Sequence, residues 1–305
     1  MIGPGTVSVV HLAAIGKLGA DLVGVCDSRR DHRAFLDAVR PDVVHICTPH
    51  DRHVPIAVDA LERGVHVLLE KPVAHTVEQA DLLVAAAKDH PHLKVGVCLQ
   101  NRYNLTSRAA HDILATGELG RIAGASATVL WHRDAAYYHA RPWRAVRARA
   151  GGGVLINQAI HTLDLLQWLV GDVTTMTGQA GRHGGLPGDV EDTAHLVLDH
   201  AGGARSVFFA TVTNATDSPV TLEIVAEHGT LRLRGDLTVA YADGRIATIA
   251  ERVPDGGGRS YWGAAHEALI ADFYHSLSDP EPFWIGPEEA LKAHHLIDEI
   301  YRHTS

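Results

Sequence analysis

The chain has only three cysteines in 305 residues, and positive charge is in deficit. Cys26, Cys47 and Cys98 each sit in a short apolar run, where a thiol behaves as a small hydrophobe rather than a disulfide partner. The 22 histidines are scattered, and no Cys/His group falls at zinc spacing, so no metal is expected. Lys and Arg number 27 against 36 Asp and Glu, a net charge of −9. That balance argues against a general nucleic-acid binder, whose affinity rests on clustered cations. No apolar run approaches the length that crosses a bilayer, and no basic segment with an apolar signal core opens the chain. A cytoplasmic protein with no membrane partner is expected. The Asn104-Leu105-Thr106 and Asn214-Ala215-Thr216 triplets fit the glycosylation pattern, but without a secretory route they carry no weight.

What is present is ordinary globular composition, 46% hydrophobic and 21% charged, in a chain long enough for two domains. The stretch Gly64-Val65-His66-Val67-Leu68-Leu69-Glu70-Lys71-Pro72 organises the first third. Its apolar run reads as a strand buried on both faces, ending abruptly in a charged pair. Open α/β sheets bind ligands beyond such carboxyl ends, although a solvated ion pair closing a strand is the plain alternative. At the start, Gly3-Pro4-Gly5-Thr6-Val7-Ser8 opens an apolar helical pattern. Bare glycines let a backbone approach a pyrophosphate, and a helix N-terminus supplies N–H groups and positive potential. Residues 21–27 read as a strand ending in Asp27, about twenty residues on, where a ribose hydroxyl partner belongs. Asp27 favours NAD, while Arg29 and Arg30 keep NADP open.

Further strands are expected at 41–49, ending in Thr48-Pro49, and at 94–99. Helices are expected at 53–63, closed by Gly64, and from the Thr76-Val77-Glu78-Gln79 capping box to Lys88. Strands alternating with helices imply an α/β domain with a doubly wound parallel sheet over 1–99. It is abridged in two places. Only Met1 and Ile2 precede Gly3, and residues 28–40 are too few for a helix, a strand and a second helix.

Residues 100–305 have a different character. A helix over 101–119 is followed by short strands at 121–131, 195–198, 206–213, 221–227 and 230–233, with a hairpin at His228-Gly229. An α+β domain with an open, mostly antiparallel sheet follows. After Gly151-Gly152-Gly153, residues 154–170 read as a helix that puts Asn157, His161 and Asp164 on one face. His161 and Asp164 lack a third metal ligand. A loop with Trp131, Arg133, Tyr137, Tyr138, Arg141, Trp143 and Arg144 offers aromatic faces and guanidinium donors, which suit a polyhydroxylated ring. His266 opens a helix over 266–277, and a terminal helix spans 287–303.

Gly3-x-Gly5, Cys26-Asp27, Thr48-Pro49, Glu70-Lys71-Pro72, Gln100-Asn101-Arg102-Tyr103 and the Gly151 to Asp164 stretch run in one order along almost the whole chain. In these motifs the sequence resembles the Gfo/Idh/MocA family of NAD(P)-dependent oxidoreductases, which includes inositol and sugar dehydrogenases. The resemblance implies a Rossmann-type cofactor domain and a catalytic set of Lys71 and His161, with Asn157 where many members carry Asp. It implies dinucleotide binding by Gly3, Gly5, Thr6, Val7, Asp27, Arg29, Thr48, Pro49, His53, Glu70, Lys71 and Gln100. Substrate would meet Arg102, Tyr138, Trp143, Arg144, Asn157, His161, Asp164 and His266. Residues 145–150 depart from the acidic, glycine-ended pattern of similar members. The implied reaction is hydride transfer from a secondary alcohol of a sugar or cyclitol, in a homodimer or homotetramer built on the outer face of the second sheet. A redox-assisted NAD-dependent glycosidase and a non-catalytic nucleotide-binding regulator are the competing readings.

Overall fold

The computed structural model describes residues 1–27, 30–251 and 263–304. Two compact units are formed, one of Met1–Gln100, Ala148–Gly151 and Val253–His294, the other of Asn101–Arg147, Gly152–Arg252 and His295–Ser305. Beyond the division expected at residue 99, a late segment therefore returns to the first unit.

In the first unit the helices are α1 (Ser8–Leu18), α2 (His32–Val39), α3 (His53–Leu61) and α4 (Val77–Asp89). They alternate with three parallel strands, β1 (Val43–Ile46), β2 (His66–Leu69) and β3 (Val95–Val97), paired in the order β1-β2-β3. The short first strand is reduced to the fully buried Ile2, which bridges Cys26 on one side and Ile46 on the other. Four backbone bonds of 2.9 Å secure it: Ile2 to His45, Gly3 to Cys26, Cys26 to Met1 and Cys47 to Ile2, each N–H donating to a carbonyl. Residues 21–27 form no strand beyond that bridge at Cys26, contrary to expectation. The short segment after Asp27 yields one helix, α2, capped by the Asp31 carboxylate on the Arg33 amide at 2.9 Å. Thr76 caps α4 as its sequence indicates, accepting from the Gln79 amide at 3.3 Å.

The second unit carries α5 (Leu105–Ala115), β4 (Ile122–Leu130), a π-helical segment Val154–Ala159 and α6 (Ile160–Val170). Seven strands follow: β5 (Val173–Gly181), β6 (Thr193–His200), β7 (Arg205–Thr211), β8 (Thr221–Ala226), β9 (Gly229–Arg234), β10 (Asp236–Tyr241) and β11 (Ile246–Ile249). With β4 they make an eight-stranded sheet ordered β11-β10-β9-β8-β4-β7-β6-β5, antiparallel except between β4 and β7. Burial alternates along β6 and β7, so one face is packed and the other presents Val207 and Phe209. Strands β5, β10 and β11 lay outside the sequence reading; their Thr-, Ala- and Gly-rich runs give a weak strand signal.

The late segment adds α7 (Gly263–His275) and α8 (Pro287–Thr304), the latter as far as His294 counting with the first unit. Phe273 on α7 explains the bare Gly96 in β3: a Cβ there would lie 2.7 Å from the Phe273 ring. Among the described residues, no helix is long and apolar enough to cross a membrane.

Candidate cofactor and active site

At the carboxyl ends of the first unit's strands, Gly3 has φ 87°, and a Cβ on it would lie 2.8 Å from the Cys47 carbonyl and from Thr48 Cγ2. Only glycine fits both the conformation and the space. Gly5 is bare without that need, since an added Cβ would meet nothing closer than 3.8 Å. The Gly5 amide donates to Gly3 at 2.7 Å and the Ser8 hydroxyl donates to the Gly5 carbonyl at 2.7 Å, which shapes the turn into α1. No side chain caps α1 and its first turn holds no acid, so its N-terminal amides and dipole face Thr6 and Val7 uncompensated. Beside Gly3, the buried Thr48 Oγ1 has no hydrogen-bond partner among the described residues. A tight glycine turn, an uncapped helix start and an orphaned hydroxyl fit a dinucleotide. Asp27 lies half-buried directly after the Cys26 bridge, whereas Arg29 lies outside the described residues.

Three residues assigned above to ligands have other duties. His53 is fully buried, with Nδ1 2.8 Å from the Pro72 carbonyl and Nε2 3.0 Å from that of Thr48. It staples the ends of β1 and β2 together. Burial holds it below the usual histidine range, against the pull of both carbonyls, so it stays neutral and donates to one at a time. Glu70, 6% exposed, turns inward and accepts from His11 Nε2 at 2.9 Å and His266 Nε2 at 3.2 Å. His266 is thereby a buried partner of Glu70. Burial opposes ionisation of Glu70, but the two histidines outweigh it and hold the carboxyl well below its usual range. Although no metal was expected, His11, Glu70 and His266 bring ligand-type atoms within 4.8 Å of one another. Lys71, the next residue, is half-buried, and Gln100 is buried.

In the second unit the triple glycine has a steric cause. A Cβ on Gly152 would lie 2.0 Å from the Tyr301 hydroxyl and one on Gly153 would lie 1.8 Å from the Glu191 carbonyl. The buried Glu191 carboxylate accepts from the Gly153 amide at 2.7 Å, the Leu155 amide at 3.0 Å and the Tyr301 hydroxyl at 2.7 Å. Burial pushes its carboxyl up, and those three donors oppose the rise. This anchor starts the π-helical segment, which replaces the first part of the expected regular helix. Asn157 therefore sits on the π segment and His161 on the first turn of α6, both half-buried. Asp164 forms a two-bond ion pair with Arg102, at 2.8 and 2.6 Å, both side chains 2% exposed. Arg102 also lies over the Trp168 ring at 5.6 Å. The pair is internal to this unit.

The aromatic and basic loop is partly turned outward. Tyr138 is buried edge-on against Tyr137, at 5.1 Å between centroids, and burial carries its hydroxyl above the ordinary tyrosine range. Arg144 stacks on Tyr137 at 4.4 Å, and Gln158 donates to the Tyr137 hydroxyl at 3.1 Å. Burial depresses the Arg144 guanidinium, and its Nε has no partner among the described residues. Trp143 is half-buried beside it. His11 and Glu191 escaped the sequence reading, because their partners lie tens of residues away. The one local signal was a histidine on the apolar helix α1.

The chain joins a three-stranded parallel sheet, with a glycine turn at a helix start, to an eight-stranded, mostly antiparallel sheet. The chain belongs to the Gfo/Idh/MocA family. The model for the oxidoreductase family with NAD-binding Rossmann fold matches residues 11–97, and that for the GFO/IDH/MocA C-terminal domain matches 107–232. D-apiose dehydrogenase from Paraburkholderia graminis is 31% identical over 82% of this chain and 72% of its own. Levoglucosan dehydrogenase from Pseudarthrobacter phenanthrenivorans is 28% identical over 72% of this chain, and the chain spans 63% of that relative's length. Among solved structures, the WlbA dehydrogenase from Bordetella pertussis, in complex with NADH and UDP-GlcNAcA, is 27% identical with a TM-score of 0.83, covering 99% of this chain and 94% of that one.

Proposed function

We propose that this protein is an NAD-dependent dehydrogenase that oxidises a secondary alcohol of a sugar, sugar derivative or cyclitol. The observation that carries the proposal is the grouping of the Gly3 turn, the uncapped start of α1 and the orphaned Thr48 hydroxyl at the strand ends of the unit that bears Lys71. The names of the relatives, levoglucosan and D-apiose dehydrogenases, support the substrate class.

Gly3, Gly5, Thr6 and Val7 would hold the pyrophosphate against the helix start, and Asp27 would accept from the ribose hydroxyls. NAD, when bound, would supply the hydride acceptor for the carbinol carbon. His161 takes the proton of the substrate hydroxyl as general base. Lys71, as the ammonium, would donate a hydrogen bond to a substrate oxygen and stabilise growing negative charge there. Asn157, which does not titrate, orients substrate or His161. Tyr137, Trp143 and Arg144 supply a stacking face and a donor for a polyhydroxylated ring. The outer face of the second sheet would pair with a second copy.

The test is a titration with NAD, NADH, NADP and NADPH, by fluorescence for the reduced forms and calorimetry for the oxidised ones, followed by a screen of sugars and inositols for cofactor reduction. Binding of the NAD pair with reduction by at least one polyol is the expected result. Failure to bind any of the four removes the proposal. Cofactor turnover without net NADH release, accompanied by glycosidic cleavage, would replace it with the glycosidase reading.

A further inference from the structure

The buried acid of the first unit is held by an ordered chain of rings. His11 Nδ1 lies 2.8 Å from His45 Nδ1, and His45 Nε2 lies 3.0 Å from the Tyr274 hydroxyl. On its other ring nitrogen His11 reaches Glu70 Oε1 at 2.9 Å, and His266 reaches the same oxygen at 3.2 Å. The tautomers follow from this spacing. Burial holds His45 well below the usual histidine range, so it carries one N–H. Either Tyr274 donates to His45, His45 to His11 and His11 to Glu70, or a cationic His11 donates to both neighbours and the outer bond reverses. Glu70 is the acceptor in both arrangements.

The other titratable groups facing it do not disturb that assignment. Burial and then the Glu70 charge push the Cys47 and Cys98 thiols well up, so they stay protonated, and His53 is neutral. The parts come from four elements: α1 with His11, β1 with His45, the end of β2 with Glu70, and α7 with His266 and Tyr274. The histidine rings are oriented to donate to one oxygen. A cation bound by all three would have to lie well off those ring axes, so the cluster is built as a hydrogen-bonded clamp rather than a metal site. An apolar side chain could anchor a strand end without the desolvation that a buried carboxylate suffers. The charge at this position therefore serves something other than packing, and the next residue is Lys71.

We propose that Glu70, clamped by His11 and His266, is the positioning residue for Lys71: it fixes the carboxyl end of β2 and keeps a permanent negative charge one residue from the ammonium. The proposal rests on the dehydrogenase reading only for what Lys71 does. In the clamp itself the carboxylate favours the protonated lysine, and α1 and α7 hold the carboxylate in place.

The experiment measures Lys71 directly. Acylation of the NAD-equilibrated protein by acetic anhydride across pH, read by peptide mass spectrometry, reports the half-labelling pH of Lys71 whether or not a substrate is known. Glu70→Gln is expected to lower that pH by about one unit. Where turnover is measurable, it is expected to lower kcat on the order of 100-fold with KM for NAD changed less than about 3-fold. His266→Asn, which keeps the His11–Glu70 bond, shifts both in the same direction by less, and decides the matter if the Glu70 variant does not fold. A merely structural clamp would lower the melting temperature of the variants and leave the half-labelling pH where it was. That result overturns the proposal, as does stoichiometric zinc or iron in the purified protein. If no polyol is oxidised by the unaltered protein, the dehydrogenase reading fails while the labelling shift still supports the clamp.

Discussion

Gly3 and Lys71 stand at strand ends of one unit, on either side of β1, and their substitution is expected to fail in different ways. At Gly3 a side chain is refused both by φ 87° and by the backbone of Cys47, 2.8 Å from where a Cβ would be. Gly3→Val is expected to weaken NADH binding more than about 100-fold and to destabilise the fold by roughly 1–3 kcal/mol, the cost of such a strained residue; a fluorescence titration and a urea melt check the two. Lys71→Ala removes a donor without touching the cradle. Turnover should drop on the order of 10²–10⁴-fold while NAD affinity stays within a few-fold. A variant with near-normal turnover would take the lysine out of the mechanism. Arg102 and Asp164 differ from both, being a buried ion pair with 2% exposure on each side. Asp164→Ala takes the paired carboxylate from a buried guanidinium, and about 3–5 kcal/mol of stability should be lost. At this scale the sequence was informative where a residue type has one common use, as with glycines at a helix start. It was silent on the partners of Glu70, His266, Arg102 and Asp164, which are tens to hundreds of residues distant.

Elements hold these residues through devices that local patterns reveal unevenly. The capping residue of α4 and the Gly64 turn after α3 were legible because their chemistry is local. The π-helical start of the Asn157 segment was not, since it depends on Glu191 accepting from Gly153 and Leu155 across a separation of more than 35 residues. Strand β1 adds a titrating device. Its His45, held well below the usual range by burial, refuses a proton that the unfolded chain accepts near 6.5, the ordinary histidine value. With the folded value depressed, the stabilisation is complete above about pH 6.5 and is lost as pH falls below it. His53 adds to the same slope, and Glu70, depressed among the acids, adds its own loss below the ordinary carboxylate value of 4.5. His45→Gln should therefore be less stable than the parent at pH 7.5, yet lose less on going to pH 5.5, by up to about 1.4 kcal/mol per pH unit for the one missing proton. Urea melts at the two pH values measure this, and parallel losses would show that His45 does not carry the slope.

At the scale of the molecule, the abridged first unit and the open second sheet raise separate questions. In the first, Ile2 bridges Cys26 on one side and Ile46 on the other. The return of a late segment as α7 supplies Phe273 to the sheet and His266 to the clamp. Neither was legible, because the segment's apolar residues say that it packs but not against what. The open sheet is different. Its packed face is covered, whereas Val207 (51% exposed) and Phe209 (39%) on β7 and Val225 (45%) on β8 stand on the other. Cross-strand pairing places the three on one side: Val225 and Arg205 both register with Gly124 of β4, and Arg205 alternates onto the same face as Val207 and Phe209. Arg205–Asp199 and Arg232–Glu223 ion pairs border them. An apolar centre with a charged rim is the anatomy of a surface that pairs with a copy of itself, for which a stable dimer needs about 800 Å² per partner. The expected outcome is a dimer or larger in light scattering at micromolar concentration. Val207→Asp with Phe209→Asp should give a monomer whose melting point, measured at equal concentration, falls only by the loss of association. A parent protein that is already monomeric, or a variant that stays assembled, would place the interface elsewhere. The outcome also bears on β7 itself, since residues exposed in a monomer but covered in a dimer have no reason to be polar.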